Sequence, residues 1–313
     1  MDWARGNPDD LEVVSEADRH GQPLRTVVNM QTGLVRNDPI PGDEELARFY
    51  AEDYRKAYKS AEKPRKRQII RNFRRVAGHV AAFRDVIGAT ERVLDVGAGS
   101  GEFLFLTGAL GKDARGIEPN RGYAEYCRDD LGLDVAAEHL RGDLFAPASF
   151  DLIRLNHVLE HLNAPVRYLE MVARWLRPGG VLYVEVPNIE VYCRTKSRDN
   201  MFHYGHIYNF NPWTLRAAAG LAGLEEAPET AERSAGTTGV FFRAGQRLDP
   251  AGAVSSENGV HVCEMIRRHY AGGFPEGKAA KPFAKLGARI EETLTGIMAG
   301  SPRDIGNRTA RTL

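Results

Sequence analysis

The sequence has no excess of charge of either sign. Its 42 Lys and Arg residues balance 42 Asp and Glu residues, so the formal net charge is zero at pH 7. Domains that bind nucleic acid through its phosphates usually carry a basic surplus, and this chain has none. One short basic run, at 63–67, is typical of a solvated helix start. We therefore expect no nucleic-acid partner.

Cysteine and long apolar stretches are also scarce. Cys127, Cys193 and Cys263 lie far apart without the spacing of metal ligands, so we expect reduced thiols. The first ten residues contain acids and a proline where a secretory signal needs an apolar core. No apolar run approaches the length of a membrane span. These absences favour a cytoplasmic protein without a membrane contact.

The most informative segment that is present reads VLDVGAGSGEF, at 93–103. The apolar residues before Asp95 predict a parallel strand that is buried on both faces. Gly97, Gly99 and Gly101 allow a tight turn and a close approach of the backbone to a ligand. A strand, a glycine turn and a helix in this order are typical of a nucleotide-binding site.

Charge narrows the choice of nucleotide. A dinucleotide fingerprint spaces its glycines as G-x-G-x-x-G around a pyrophosphate, but here Gly101 comes one residue early and Glu102 takes the expected place. Carboxylates at Asp95 and Glu102 would repel a pyrophosphate, so we expect a cationic ligand. Glu118, at the end of the next predicted strand, is placed to accept hydrogen bonds from ribose hydroxyls.

Four motifs resemble those of the class I S-adenosylmethionine-dependent methyltransferases, in the family's order. They are DVGAGSG at 95–101, GIEPN at 116–120, FDLIRLNHVLEHL at 150–162 and LRPGGVLYV at 176–184. The resemblance covers roughly residues 91–188 and implies S-adenosyl-L-methionine as the methyl donor.

The resemblance also implies a donor site built from strand ends. Asp95 is expected to hold the amino group of the methionine moiety, directly or through water; a helix N-cap is the alternative role. Asn156 and His157, directly after the fourth core strand, are expected to line the cleft. His139, after the third core strand, is expected beside the adenine.

Histidines are the candidates on the acceptor side. His203 and His206 lie in the long aperiodic segment at 188–211, where they would bind the acceptor or act as a general base. His161 is a further catalytic candidate. For all three, a structural role in holding the loop is the alternative. The spacing of His203 and His206 suits a metal pair, but without a third ligand nearby we expect no metal.

Alternating strand and helix patterns predict an α/β fold, with a doubly wound, Rossmann-like sheet of seven mostly parallel strands. We expect a core domain at 63–248, an N-terminal hairpin and helices at 1–62, and a helical C-terminal extension at 249–313 whose end, 301–313, frays. The hairpin resembles the zinc-knuckle segment of some small-molecule methyltransferases, but Asn29 and Thr32 replace its cysteines, so no zinc is expected. The terminal helices are the candidate surface for a homodimer.

The resemblance implies methyl transfer to a small molecule, at a hydroxyl of a sugar, a quinone-like compound or a secondary metabolite. Two alternatives stay open. A nicotinamide-dependent oxidoreductase uses a similar sheet, although the glycine spacing and Asp95 disfavour it. A non-catalytic relative would keep the fold as a binding module.

Overall fold

The computed structural model describes residues 3–49, 63–195, 201–228, 236–272 and 300–313. Its strands are β1 (Leu11–Ala17), β2 (Pro23–Asn29), β3 (Val35–Asn37), β4 (Arg92–Val96), β5 (Asp113–Ile117), β6 (Asp134–Ala136), β7 (Phe150–Asn156), β8 (Leu176–Pro187), β9 (Tyr208–Asn209), β10 (Leu224–Glu226) and β11 (Thr237–Ala244). Its α-helices are α1 (Asp43–Arg48), α2 (Lys66–Ala82), α3 (Arg84–Gly88), α4 (Glu102–Ala109), α5 (Arg121–Tyr126), α6 (Pro165–Ala173), α7 (Ile189–Thr195), α8 (Pro212–Leu221), α9 (Ser256–Tyr270) and α10 (Pro302–Ala310).

Seven of these strands form one sheet, in the order β10-β11-β8-β7-β4-β5-β6. The five strands from β8 to β6 in that order are mutually parallel, and β11 runs antiparallel to both β8 and β10. The predicted seven-stranded, mostly parallel sheet is therefore confirmed. The chain leaves β4 toward β5 on one side and returns to β7 on the other, and the crevice at such a reversal is where open α/β sheets bind ligands.

Helices cover both faces of this sheet. Val93 of β4 belongs to an apolar cluster with Phe73 of α2 and Phe103 of α4. Its neighbour Leu94 belongs to a cluster on the opposite face with Leu169 of α6. Because both faces are buried, β4 needs apolar residues at successive positions, as its sequence predicted.

The N-terminal strands form a second sheet that is antiparallel throughout, in the order β1-β2-β3-β9. The predicted hairpin is its β2–β3 pair. Asn29 and Thr32, in the cysteine positions of the zinc-knuckle pattern, are buried and stabilise the turn: Asn29 Oδ1 accepts from the Gln31 N–H at 2.9 Å, and Thr32 Oγ1 from the Leu34 N–H at 3.2 Å. Since β9 follows the His203–His206 loop, this sheet anchors that loop to the N-terminal segment.

The C-terminal residues 301–313 are ordered, so the expectation that they fray is wrong. Ser301 and Asp304 form a capping box at the start of α10. Ile305 is buried in the cluster that contains Phe73, and Gly306 lies so close to the Phe105 ring that a Cβ would sit 2.6 Å from it. The small apolar face of α10 thus packs on α2 and α4. The domain boundaries at 62 and 248 stay a prediction.

None of the described helices is both long and apolar enough to cross a membrane.

Candidate active site

The glycine turn after β4 has the conformation that its sequence requires. Gly97, Gly99 and Gly101 have φ angles of 71°, 56° and 78°, in the left-handed region that favours glycine. A Cβ at Gly97 would lie 2.5 Å from Val158, and one at Gly101 would lie 2.6 Å from Leu133. A Cβ at Gly99 would meet nothing within 4 Å. The turn is therefore packed on both sides and open at its middle.

Glu118 lies against this open middle. Its Oε2 accepts a hydrogen bond of 2.7 Å from the Gly99 N–H, and its Oε1 accepts one of 2.9 Å from the Asn120 N–H. The side chain is 8% exposed. A carboxylate offers about four lone-pair directions, so Glu118 retains capacity for ribose hydroxyls. The structure thus brings together Gly99 and Glu118, which are separated by a full strand and helix in the sequence.

Asp95 is half of a buried ion pair. Arg154 Nη1 donates to Asp95 Oδ1 at 2.8 Å, and both side chains are almost fully buried. Burial raises the pKa of the Asp95 carboxyl, and the charge and hydrogen bond of Arg154 oppose that rise. The Arg154 guanidinium also lies over the Phe103 ring, 4.5 Å from its centroid. The contact of Asp95 with a donor stays a prediction.

Glu102 is buried as well, on the other side of the turn. Ser100 Oγ donates to Glu102 Oε1 at 2.6 Å, and Asn72 Nδ2 donates to Ser100 Oγ at 3.2 Å. Burial raises the pKa of Glu102, and the Ser100 hydrogen bond opposes the rise. The sequence argument took Asp95 and Glu102 as two carboxylates that flank the ligand; in the structure Arg154 forms an ion pair with Asp95, and Glu102 is buried.

The turn after β7 forms the other wall of the crevice. Asn156 ends β7, and its Oδ1 is buried without a hydrogen-bond partner among the described residues. His157 follows with a φ of 57°, an uncommon conformation for a residue other than glycine. Val158 then contacts the position of Gly97. An unsatisfied buried acceptor beside the glycine turn fits a site that a polar ligand completes.

His157 lies between two buried carboxylates. Its Nδ1 is 3.3 Å from Glu160 Oε1, and its Nε2 is 3.7 Å from Glu185 Oε1. Burial acts to lower the pKa of His157, but the hydrogen bond and charge of Glu160, with the charge of Glu185, outweigh it and raise the pKa. Tyr183 holds Glu185 by donating its hydroxyl hydrogen to Oε2.

The three histidines predicted on the acceptor side do come together. The His161 and His206 rings lie 4.9 Å apart edge to face, and the His206 and His203 rings lie 3.8 Å apart. Burial, with the positive charge of Arg19, lowers the pKa of His203 to about 3, and burial also holds the pKa of His206 well below its ordinary value. Histidines with such pKa values are neutral near pH 7 and are weak bases.

The structure shows a group of possible metal ligands that the sequence argument did not consider. No third ligand was expected near His203 and His206, yet Glu160, His161 and His206 bring ligand atoms within 4.8 Å of one another. His203 is not part of this group. The third ligand was missed because Glu160 and His161 belong to a different loop, and sequence spacing alone does not show which loops meet.

His139 lies apart from these groups. It is exposed in the loop after β6, next to Glu138, which forms an ion pair with Arg141. Its place beside an adenine stays a prediction.

Three charged residues of the site were not singled out from the sequence: Arg154, Glu160 and Glu185. Arg154 and Glu185 stand inside otherwise apolar strand runs, and each is less than a tenth exposed. A buried charge requires a partner. A charge within a run that otherwise reads as a buried strand is the signal that could have identified Arg154 and Glu185.

The chain matches a known family over this region. The family model of a methyltransferase domain matches residues 62–227, just over half of the chain. The protein therefore belongs to the methyltransferase-domain family, as a class I member of the kind that uses S-adenosylmethionine.

Curated relatives match a shorter stretch. The ubiquinone biosynthesis O-methyltransferase of Paraburkholderia phymatum is 31% identical over 107 residues, which are 32% of this chain and 46% of that protein. That of Ruegeria pomeroyi is 29% identical over 120 residues, 37% of this chain and 46% of that protein. The match thus spans about half the length of these relatives. Among solved structures, the 1,6-didemethyltoxoflavin-N1-methyltransferase of Burkholderia thailandensis is 18% identical, with a TM-score of 0.46 over 71% of this chain and 96% of that one.

Proposed function

We propose that the protein transfers a methyl group from S-adenosylmethionine to a hydroxyl group of a small molecule. The observation that carries this proposal is the hydrogen bond from the Gly99 N–H to Glu118 at the sheet's reversal point. It joins the glycine turn to a carboxylate that suits ribose hydroxyls, in the crevice where this type of sheet binds ligands.

The residues around the crevice fit the donor. Gly99 leaves space at the middle of the turn, Glu118 offers carboxylate oxygens, and Asn156 Oδ1 offers a buried acceptor without a partner in the described residues. Glu118 would hold the ribose and Asn156 would face a donor of hydrogen bonds on the ligand. When bound, S-adenosylmethionine supplies an electrophilic methyl group, whose transfer requires alignment and exclusion of water more than acid or base catalysis.

The acceptor would lie on the side of His157 and the histidine loop. Val158 lies against the position of Gly97, and His161, three residues later in the chain, contacts the His206 ring edge to face. Neutral imidazoles donate and accept hydrogen bonds, as a hydroxyl does. We assign His161, His203 and His206 to the acceptor side of the site.

The names of the matched relatives support an oxygen acceptor. Both relatives described above are O-methyltransferases of ubiquinone biosynthesis. A hydroxyl on a quinone-like ring is therefore the first acceptor to test, followed by sugars and secondary metabolites. The chain's zero net charge gives no support to a nucleic-acid acceptor.

The test is product analysis. The purified protein is incubated with methyl-labelled S-adenosylmethionine and separate dihydroxybenzene, sugar and amine acceptors, and the products are identified by mass spectrometry. We expect a methyl ether from a hydroxyl acceptor. The Glu118→Ala variant should form it much more slowly than wild type, and the control Glu125→Ala, which removes an exposed carboxylate on α5, should form it at the wild-type rate. Methyl transfer only to nitrogen, or to no acceptor in the set, would contradict the proposal.

A further inference from the structure

Three side chains near the proposed acceptor form a cluster that the methyl-transfer chemistry does not require. Glu160 and His161 lie in the turn after β7, and His206 lies in the loop before β9. One ligand atom from each falls within 4.8 Å of the others. Ligand atoms that lie about 2.1 Å from one ion in a tetrahedral arrangement are about 3.4 Å apart. Side-chain movements that shorten the separations by up to about 1.5 Å would therefore close the set around a metal ion.

The ring of His161 is already oriented as a metal ligand. Its Nδ1 lies within hydrogen-bond distance of the Gly205 carbonyl oxygen. A carbonyl oxygen only accepts, so Nδ1 carries the hydrogen and the lone pair of the neutral ring is on Nε2. That nitrogen faces Glu160, with 3.8 Å between Nε2 and Oε1. A backbone carbonyl that fixes the tautomer in this way is typical of metal-binding histidines.

Glu160 supplies a carboxylate in need of a cation. It is 1% exposed, and its Oε2 is buried without a hydrogen-bond partner among the described residues. Its Oε1 lies 3.3 Å from His157 Nδ1, so a second side chain orients the carboxylate. Burying such a group is costly unless charge nearby compensates it. A metal ion at the cluster would add its charge to that of His157 and would take the Glu160 oxygen that has no partner among the described residues.

Two of the three proposed ligands reach the surface of the protein. His161 and His206 are both partly exposed, in contrast to Glu160. His206 is held by a hydrogen bond of 3.0 Å from its own N–H to the His203 carbonyl. Three protein ligands on one side of an ion leave coordination positions for water or a substrate oxygen.

We propose that Glu160, His161 and His206 form a two-histidine, one-carboxylate site for a divalent transition-metal ion of the manganese, iron, cobalt or zinc type. Imidazole with carboxylate suits these ions better than Mg²⁺, which prefers oxygen ligands alone. This site is separate from the groups that would hold the methyl donor, and it gives a function to three side chains that donor binding does not use.

The role of the ion, unlike its binding, rests on the proposed function. The open positions take the hydroxyl oxygen of the acceptor, and coordination promotes loss of its proton to water. The oxygen then forms a bond to the methyl carbon while the carbon–sulfur bond breaks, with its electron pair remaining on sulfur.

The first experiment measures metal binding without catalysis. Metal-free full-length protein is titrated with Mn²⁺, and bound ion is followed by electron paramagnetic resonance and calorimetry. We expect one Mn²⁺ per chain, at least about tenfold weaker binding in Glu160→Gln and His206→Ala, and unchanged binding in the exposed controls Glu264→Gln and His261→Ala on α9. S-adenosylhomocysteine binding by the same variants shows that they are folded.

The outcomes separate the two proposals. A wild-type protein that binds neither Mn²⁺, Co²⁺ nor Zn²⁺ with defined stoichiometry overturns the metal site, as do Glu160→Gln and His206→Ala variants that bind as tightly as wild type. Hydroxyl methylation by a protein without metal binding would leave the proposed function intact. Mn²⁺ bound at these residues without methyl transfer would support the metal site and count against the proposed function.

Discussion

Arg154 and Asp95 stand directly opposite each other on the neighbouring parallel strands β7 and β4, and their side chains form a buried ion pair of 2.8 Å. The pair lies beneath the glycine turn and joins the two strands between which the crevice opens. The pair thereby fixes the relative position of the donor turn and the turn that carries His157.

Removing one partner of this pair should be severely destabilising. Arg154→Met leaves the Asp95 carboxylate buried without compensation, at an expected cost of about 3–5 kcal/mol in the free energy of unfolding. Adding Asp95→Asn to Arg154→Met should restore part of that loss. Urea unfolding measures both effects. The control, Arg121→Met, removes an exposed partner of Glu125 and should change stability by less than about 0.5 kcal/mol.

An Arg154→Met protein that is within about 1 kcal/mol of wild type would contradict this account of the pair.

The glycine turn predicts a ranking of alanine substitutions. Gly21 lies in the β1–β2 turn with a left-handed φ of 74°, and a Cβ there would have no neighbour within 4 Å. Gly21→Ala should therefore lower the free energy of unfolding by about 1–2 kcal/mol, because of the backbone conformation alone. Gly101 has a similar φ, but a Cβ there would also lie 2.6 Å from Leu133 and 2.8 Å from Cys127. Gly101→Ala should therefore lower the free energy of unfolding by about 1–3 kcal/mol more than Gly21→Ala. Thermal and urea unfolding give the comparison. Equal losses at the two positions would show that close packing at Gly101 is unimportant.

Glu118 should matter for donor affinity more than for stability. Glu118→Ala removes the carboxylate that would accept from the ribose and that holds the Gly99 N–H. Hydrogen bonds to a charged group contribute about 1.5–3 kcal/mol, so S-adenosylhomocysteine should bind roughly 10- to 100-fold more weakly. Calorimetric titration measures the change, with Glu125→Ala as the exposed control. Unchanged affinity in Glu118→Ala would remove Glu118 from the donor site.

The carboxylate of Asp151 predicts a pH-dependent contribution to stability. Burial acts to raise the pKa of Asp151, but hydrogen bonds from the Arg92 and Glu91 N–H groups and the charge of Arg177 lower it overall. The stabilisation is therefore full above the carboxyl's unfolded-state pKa of about 3.9 and is lost as the pH falls through the lower folded-state value.

Asp151→Asn should accordingly be about 1–2 kcal/mol less stable than wild type near neutral pH, with a smaller difference at about pH 3. Urea unfolding at both pH values tests this, and Asp113→Asn, a half-exposed carboxylate on β5, serves as control. A difference that stays constant with pH would mean that the charge of Asp151 plays no part.

The sequence predicted the sheet because its strands are buried on both faces. The apolar run at β4 matches its observed bounds, Arg92–Val96, and the pattern alone is sufficient there. By contrast, α7 (Ile189–Thr195) lies in a segment without periodicity, and the prediction of a long irregular loop did not include it. Ile189 and Cys193 pack against α9, and this tertiary contact stabilises a helix that the local sequence pattern does not predict.

The sequence predicted the parts of the site that belong to recognisable motifs. It did not predict the contact between two loops that lie far apart in the sequence. The glycine turn and Glu118 belong to motifs with fixed spacing, and the structure brings them together. The meeting of His161 with His206 depends on how the loop before β9 packs over the turn after β7. No periodicity or spacing encodes that contact, which arises only from tertiary packing.

The central claim is that the crevice at Gly99 and Glu118 binds S-adenosylmethionine, and calorimetric titration of the full chain with S-adenosylhomocysteine tests it most directly. The account predicts binding of one molecule per chain, with no measurable binding of NAD under the same conditions. Binding of NAD without binding of S-adenosylhomocysteine would contradict it and would instead support a nicotinamide-dependent oxidoreductase.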